Sequence, residues 1–167
     1  KVVLLSDNTP YDPQLTGSTL DRMKGCDILA FAYNGSASDF PLCYDNLSNQ
    51  EKDEIYIKRE TLREKINTKL IELLQPRMLM PYSSDFALAG PMAKKFVEWN
   101  SGHWWTNRKE AAQHYEETLN IPSIAISEGI TLIITPEKIE IESKNLVHRT
   151  PEQIAERLYS PISPTRE

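Results

Sequence analysis

KVVLLSDNTPYD, residues 1–12, decides how the rest of the chain is read: an apolar run, Val2 to Leu5, passes directly into a carboxylate, Asp7, and then into the turn-forming Asn8-Thr9-Pro10. Strands covered on both faces of a parallel sheet read as continuous apolar runs, and open α/β sheets gather ligands outside the carboxyl ends of their strands. The stretch therefore predicts a sheet strand that delivers Asp7 to a ligand-facing edge. Asp7 equally fits an Asx-type turn, in which its side chain accepts from nearby backbone N–H groups, and the local sequence leaves both roles open. No Met and no leader-like segment stand ahead of the strand. Lys1 is accordingly expected to be a cut, with further N-terminal chain covering this strand.

Working outward, a short helix is expected over Ser18 to Lys24, ended by Gly25, and then a second apolar strand, CDILAFAY, over Cys26 to Tyr33. The following YNGSASDFPLCYDN has the composition of a loop of more than ten residues, a length that in compact domains is often functional. Ser48 and Glu51 match a capping box opening a long helix that stops before Pro76. Its Ile55, Leu62, Ile66, Leu70 and Leu73 are assigned to the sheet-covering face, and Lys58, Glu60, Arg63, Glu64 and Lys69 to a solvated one. RMLMP, Arg77 to Pro81, reads as a third strand leading into Tyr82-Ser83-Ser84-Asp85.

Gly90-Pro91 opens a helix to about Asn100, and Asn107 with Glu110 suggests a capping box for another, to about Leu119. Between them, Trp104-Trp105 fits burial against the sheet or an exposed interface patch, and homo-oligomerisation stays open. From Ser123 the period becomes two through Ile124, Ile126, Thr131 to Ile134, Ile139 and Ile141, which predicts an antiparallel meander. Thr150-Pro151 starts a terminal helix, and residues 160–167 are a loosely held tail. The fold class is α/β, one domain over residues 1–159.

The chain has 167 residues, 40% hydrophobic and 26% charged, enough for one well-cored domain. A net charge of -5 and a pI near 5.3, without a basic stripe, argue against a nucleic-acid partner. No apolar run approaches the ~20 residues that span a bilayer, so no membrane partner is expected. Cys26 and Cys43 form neither a CxxC pair nor a disulfide framework, which favours a reducing, cytoplasmic setting. The three histidines, His103, His114 and His148, match no zinc spacing, and His114 and His148 read as surface residues. Nucleophile elbow, GxGxxG and P-loop motifs are absent from the sequence. Three polar strand ends remain: Asp7-Asn8, Asn34 to Asp39, and Tyr82 to Asp85.

The order LLSDNTPYD, then CDILAFAYNGSASDFPLCY, then a long charged helix closing in LLQPRMLMPYSSDF, resembles the C-terminal half of a metallo-β-lactamase-fold domain. It is most similar to the domain of CMP-N-acetylneuraminic acid hydroxylase and related bacterial sugar-pathway proteins. The resemblance covers Lys1 to Asp85 and extends more weakly through TNRKEA and EGITL. It implies half of an αββα sandwich, a mixed sheet flanked by helices, whose N-terminal half carries an HxHxDH motif and is the partner of this one. It implies that Asp7 is a ligand to a divalent metal, zinc or iron, whose other ligands lie mostly outside this sequence. A carboxylate at that point can bridge two metal ions, which lower the pKa of bound water.

The resemblance further implies a metal-dependent hydrolase acting on a small anionic or sugar-nucleotide-like substrate. Asp85 is then the candidate catalytic residue. Tyr82 and Ser83 line the site, and Asn34, Ser36 and Ser38 offer hydrogen bonds to hydroxyls or phosphate. One departure matters: hydrolases of this family usually place a last metal-binding histidine just after the strand that here ends RMLMP, where this chain has Tyr82-Ser83. The alternative implied by that loss is a non-catalytic, substrate-binding half of a multidomain, Rieske-type oxygenase.

Overall fold

The structure, a computed structural model, describes residues 1–5, 18–33, 44–82, 108–127 and 129–143. In chain order the elements are β1 (Val2–Leu4), α1 (Ser18–Met23), β2 (Ile28–Ala32), α2 (Asn49–Leu74), β3 (Met78–Tyr82), α3 (Arg108–Leu119), β4 (Ile130–Ile134) and β5 (Ile139–Ser143). The first three strands make a parallel sheet in the order β1-β2-β3, and β4 pairs antiparallel with β5. The chain is thus a mixed α/β protein.

Alternation along the strands gives the sheet two different faces. On one, Leu29, Phe31, Tyr33 and Leu79 form a core with Leu70, Ile71 and Leu74 of α2 and Ala111 and Tyr115 of α3, flanked by Leu20 and Met23 of α1. Phe31 meets Tyr115 edge to face, ring centroids 5.0 Å apart, the arrangement that aromatic quadrupoles favour. On the other face, Ile28, Met78 and Ile124 meet Ile130, Leu132 and Ile134 of β4 and Ile139 of β5. Helices, sheet and hairpin therefore form three layers. At the β1 edge the hairpin-side residues Val2 and Leu4 stay exposed, at 55% and 67%.

Helix α2 begins as the sequence requires. Ser48 N–H donates to Glu51 Oε2 at 2.8 Å and Glu51 N–H to Ser48 Oγ at 3.3 Å. It ends on Gln75, whose φ of 48° is left-handed and whose N–H closes onto Ile71 O, just ahead of Pro76. Its inward face differs from the expected one. The buried residues are Lys52, Tyr56, Glu60, Asn67, Leu70, Ile71 and Leu74, whereas Leu62 is 58% exposed and Leu73 also open. The apolar residues of α2 do not form one stripe. Packing of the C-terminal turns onto the sheet, through Leu70, Ile71 and Leu74, fixes the rotation, and the N-terminal turns must then present polar residues on the same side.

The late segment is also simpler than a meander. Leu79 N–H donates to Pro122 O at 2.8 Å and Ile124 N–H to Leu79 O at 2.9 Å, giving an isolated parallel bridge between Leu79 and Ser123. The β3 edge takes the backbone groups that an antiparallel partner of β4 would need, so among the described residues β4 and β5 alone form a hairpin. The turn at Thr135 to Lys138 forms as expected, with Thr135 N–H bonded to Lys138 O at 2.9 Å. Arg77 fastens this turn to the amino edge of the sheet: its Nη1 donates to Thr135 O at 2.8 Å and to Asp27 Oδ1 at 2.7 Å. The expected helices beyond Gly90 and Thr150, the Trp104-Trp105 pair, Cys43 and the 160–167 tail lie outside the described residues.

Candidate functional site at the carboxyl edge of the sheet

Parallel pairing brings the ends of β1, β2 and β3 to one edge. Leu4 pairs with Ala30 and Ala32 with Tyr82, Leu5 N–H bonds to Ala30 O at 2.9 Å, and Tyr33 N–H to Tyr82 O at 3.2 Å. β2 and β3 end level at Ala32 and Tyr82, and β1 ends two residues short of that level, at Leu4, which pairs with Ala30. The Tyr82 hydroxyl reaches across β2 and donates to the carbonyl of Leu5. With strands about 4.8 Å apart, that span is about 10 Å, the reach of a tyrosine lying over the sheet.

Of the residues expected to build the site, the structure describes Tyr82. Asp7, Asn34, Ser36, Ser38, Ser83 and Asp85 lie outside the described residues. Asn34 follows Tyr33 directly, Ser83 follows Tyr82, and Asp7 is the second residue beyond Leu5. Among the described residues no three His, Cys, Asp or Glu side chains are grouped to hold a metal ion. These residues therefore do not themselves make a metal site.

A second set of polar groups stands beside the same edge, and the sequence reading assigned part of it to solvent. Asn67 of α2, buried, donates through Nδ2 to Ala32 O at 3.1 Å and to the Tyr115 hydroxyl at 3.3 Å. One side chain thus ties α2, α3 and the end of β2. Burial pushes the Tyr115 hydroxyl up to about 12, so it stays protonated at any working pH. Toward the N-terminus of α2 the buried face continues through Glu60, Tyr56 and Lys52. Burial also raises the Glu60 carboxyl above the usual range, against the opposing pull of Arg63 and then Arg59. Desolvation lifts Tyr56 to about 12. His114, read from sequence as a surface residue, is half-buried, and its Nε2 lies 2.7 Å from Glu64 Oε1.

Lys52, Tyr56, Glu60, Asn67 and Tyr115 were invisible as a group because only packing sets the rotation of α2. One signal was present: extending the Leu70–Leu74 face backward in steps of three and four passes through 67, 63, 60, 56 and 52, all polar or charged apart from the Tyr56 ring.

Comparison of the chain with protein-family models, with curated proteins and with solved structures finds no match. What the fold and its edge define is an α/β protein with a three-stranded parallel sheet, its helices on one face and an antiparallel pair on the other. No helix among the described residues is long and apolar enough to cross a membrane.

Proposed function

We propose that this chain is the C-terminal part of a metal-dependent hydrolase of the metallo-β-lactamase type, acting on a small anionic or sugar-nucleotide-like substrate. The observation that carries the reading is the shared carboxyl edge. β1, β2 and β3 end side by side, and the segments bearing Asp7, Asn34 to Ser38, and Ser83 to Asp85 depart from that edge. In this reading Asp7 is the chain's share of a zinc or iron site, and Asp85 and its neighbours face the substrate. The partner is the N-terminal half of the same domain. The uncovered Val2 and Leu4, beside a hairpin that already covers β2 and β3, support a further apolar layer there.

One observation favours a second reading, a substrate-binding half of a Rieske-type oxygenase. Tyr82, where the resemblance leads one to expect a metal-binding histidine nearby, has its hydroxyl engaged with Leu5. Elemental analysis of the protein together with its N-terminal half, with and without Asp7→Asn, tests both. Loss of bound zinc or iron with at least ~10-fold lower hydrolysis supports the hydrolase. Unchanged metal returns Asp7 to its turn.

A further inference from the structure

The two outer layers of the molecule present opposite charge. Helix α2 turns Leu70, Ile71 and Leu74 to the sheet, so the residues about half a turn round from them face away from it. Over about three turns these are Lys58, Leu62, Lys65 and Lys69, all exposed, Leu62 at 58%. Among the described residues none of the three ammonium groups is ion-paired. Glu54 and Glu72 lie on the same side, one beyond each end of this stretch. On a chain of net charge -5, a cationic stripe around an open leucine is a local departure.

In the opposite outer layer, the hairpin packs Ile130, Leu132, Ile134 and Ile139 against the sheet, which leaves Thr131, Ile133, Glu140 and Glu142 facing away from it. Glu142 stands opposite Thr131 and Glu140 opposite Ile133, and all four are exposed. Glu140 is paired with Lys138 Nζ at 2.5 Å, whereas Glu142 has no ion-pair partner among the described residues. With Ile133 its one apolar side chain, this face is too polar for the inside of a domain, unlike the open Val2 and Leu4. The spacings of the two faces match. Lys65 and Lys69 are separated by a helical rise of about 6 Å, and Glu140 and Glu142 by about 7 Å of strand, and each pair has an exposed aliphatic side chain at one end. We infer that α2 of one copy of this chain docks on the β4–β5 hairpin of another, with Lys65 on Glu140, Lys69 on Glu142 and Leu62 on Ile133. The stripe and the hairpin lie on opposite sides of the sheet, so the contact is heterologous, and each copy keeps one unused face for the next. This association goes beyond the proposed hydrolase and does not depend on it.

The test is sedimentation velocity of the full-length protein and of two double variants, Lys65→Gln with Lys69→Gln and Glu140→Gln with Glu142→Gln, with circular dichroism confirming that each is folded. At an ionic strength of about 0.02 M the mean mass of the parent should rise with concentration past that of two copies, because a heterologous contact does not close at two. It should fall back at about 0.5 M, where exposed charges are screened. Each variant alone should remain a single copy. An equal mixture of the two should associate and stop at two copies, because only one intact stripe and one intact hairpin are then available to each pair. A parent that stays a single copy at every concentration overturns the inference. So does a variant that associates as strongly as the parent, or a mixture that associates no more than its components.

Discussion

The hydroxyl of Tyr82, at the end of β3, donates to the carbonyl of Leu5, at the end of β1. It crosses β2 at Ala32, its register partner. In a pleated sheet these cross-strand neighbours project on the same side, so the side chain at position 32 lies in the path of the ring. Alanine there leaves the ring room to lie flat across β2. The two outer strands of the sheet are thereby joined directly, at the edge from which all three polar segments depart.

Removing that hydroxyl in Tyr82→Phe is expected to lower unfolding free energy by about 1 kcal/mol, the usual net worth of such a bond. It should also loosen β1 first, because β1 has a single strand neighbour among the described residues. Hydrogen exchange resolved at Leu5 N–H checks this. Ala32→Leu should reproduce the faster exchange while leaving the tyrosine in place; unchanged exchange in both variants would show that the bond does not hold the edge.

Asn67→Leu is expected to cost about 1–3 kcal/mol, because the buried Tyr115 hydroxyl and the Ala32 carbonyl lose a donor in a place water reaches poorly. Combining it with Tyr115→Phe isolates the pair. Urea titration of the two single variants and the double should show the second substitution costing less in the presence of the first. Strict additivity would argue that the two groups do not depend on each other.

Much of the backbone is legible in the sequence alone. The Ser48–Glu51 capping box, the stop before Pro76 and the apolar runs at Val2 to Leu5 and Cys26 to Tyr33 each depend on short-range chemistry that sequence carries. Ser123 to Ser127 misled because alternation cannot tell an antiparallel partner from a segment docking on the open edge of β3. The face of α2 misled for a similar reason. Its apolar residues scatter around the helix, and the choice among faces is made by Leu70, Ile71 and Leu74 meeting the sheet. The residues expected to carry chemistry were legible as strand-end neighbours, whereas Glu60, Arg63 and Asn67 become a group only once that rotation is known.

The rotation is itself open to measurement. Ile71→Ala should destabilise the fold by about 2–5 kcal/mol, the range for truncating a fully buried aliphatic side chain. Leu62→Ala, on the open side, should stay within about 0.5 kcal/mol. Denaturant titration of the two variants decides the matter, and comparable losses would place both residues in the core.

Glu60 makes a prediction whose sign is fixed by its environment. Desolvation, opposed by Arg63 and then Arg59, raises its carboxyl in the folded state, so the native protein holds this proton more tightly than the unfolded chain. Its contribution to stability is complete below the ordinary glutamate value near 4.3 and is lost as pH rises through the folded value. Glu60→Gln keeps the shape and removes the ionisation. The variant should therefore gain stability relative to the parent as pH rises from about 4 to 8, with little difference at the acid end. Tyr56 and Tyr115, the neighbouring hydroxyls, are both lifted to about 12 and do not titrate in this window. Asp27, whose carboxyl is held low first by the Lys1 amino group and then by Arg77, is common to both proteins and cancels in the difference. Denaturant midpoints of parent and Glu60→Gln across this range give the comparison; a difference constant with pH would mean that Glu60 ionises as freely as a surface glutamate.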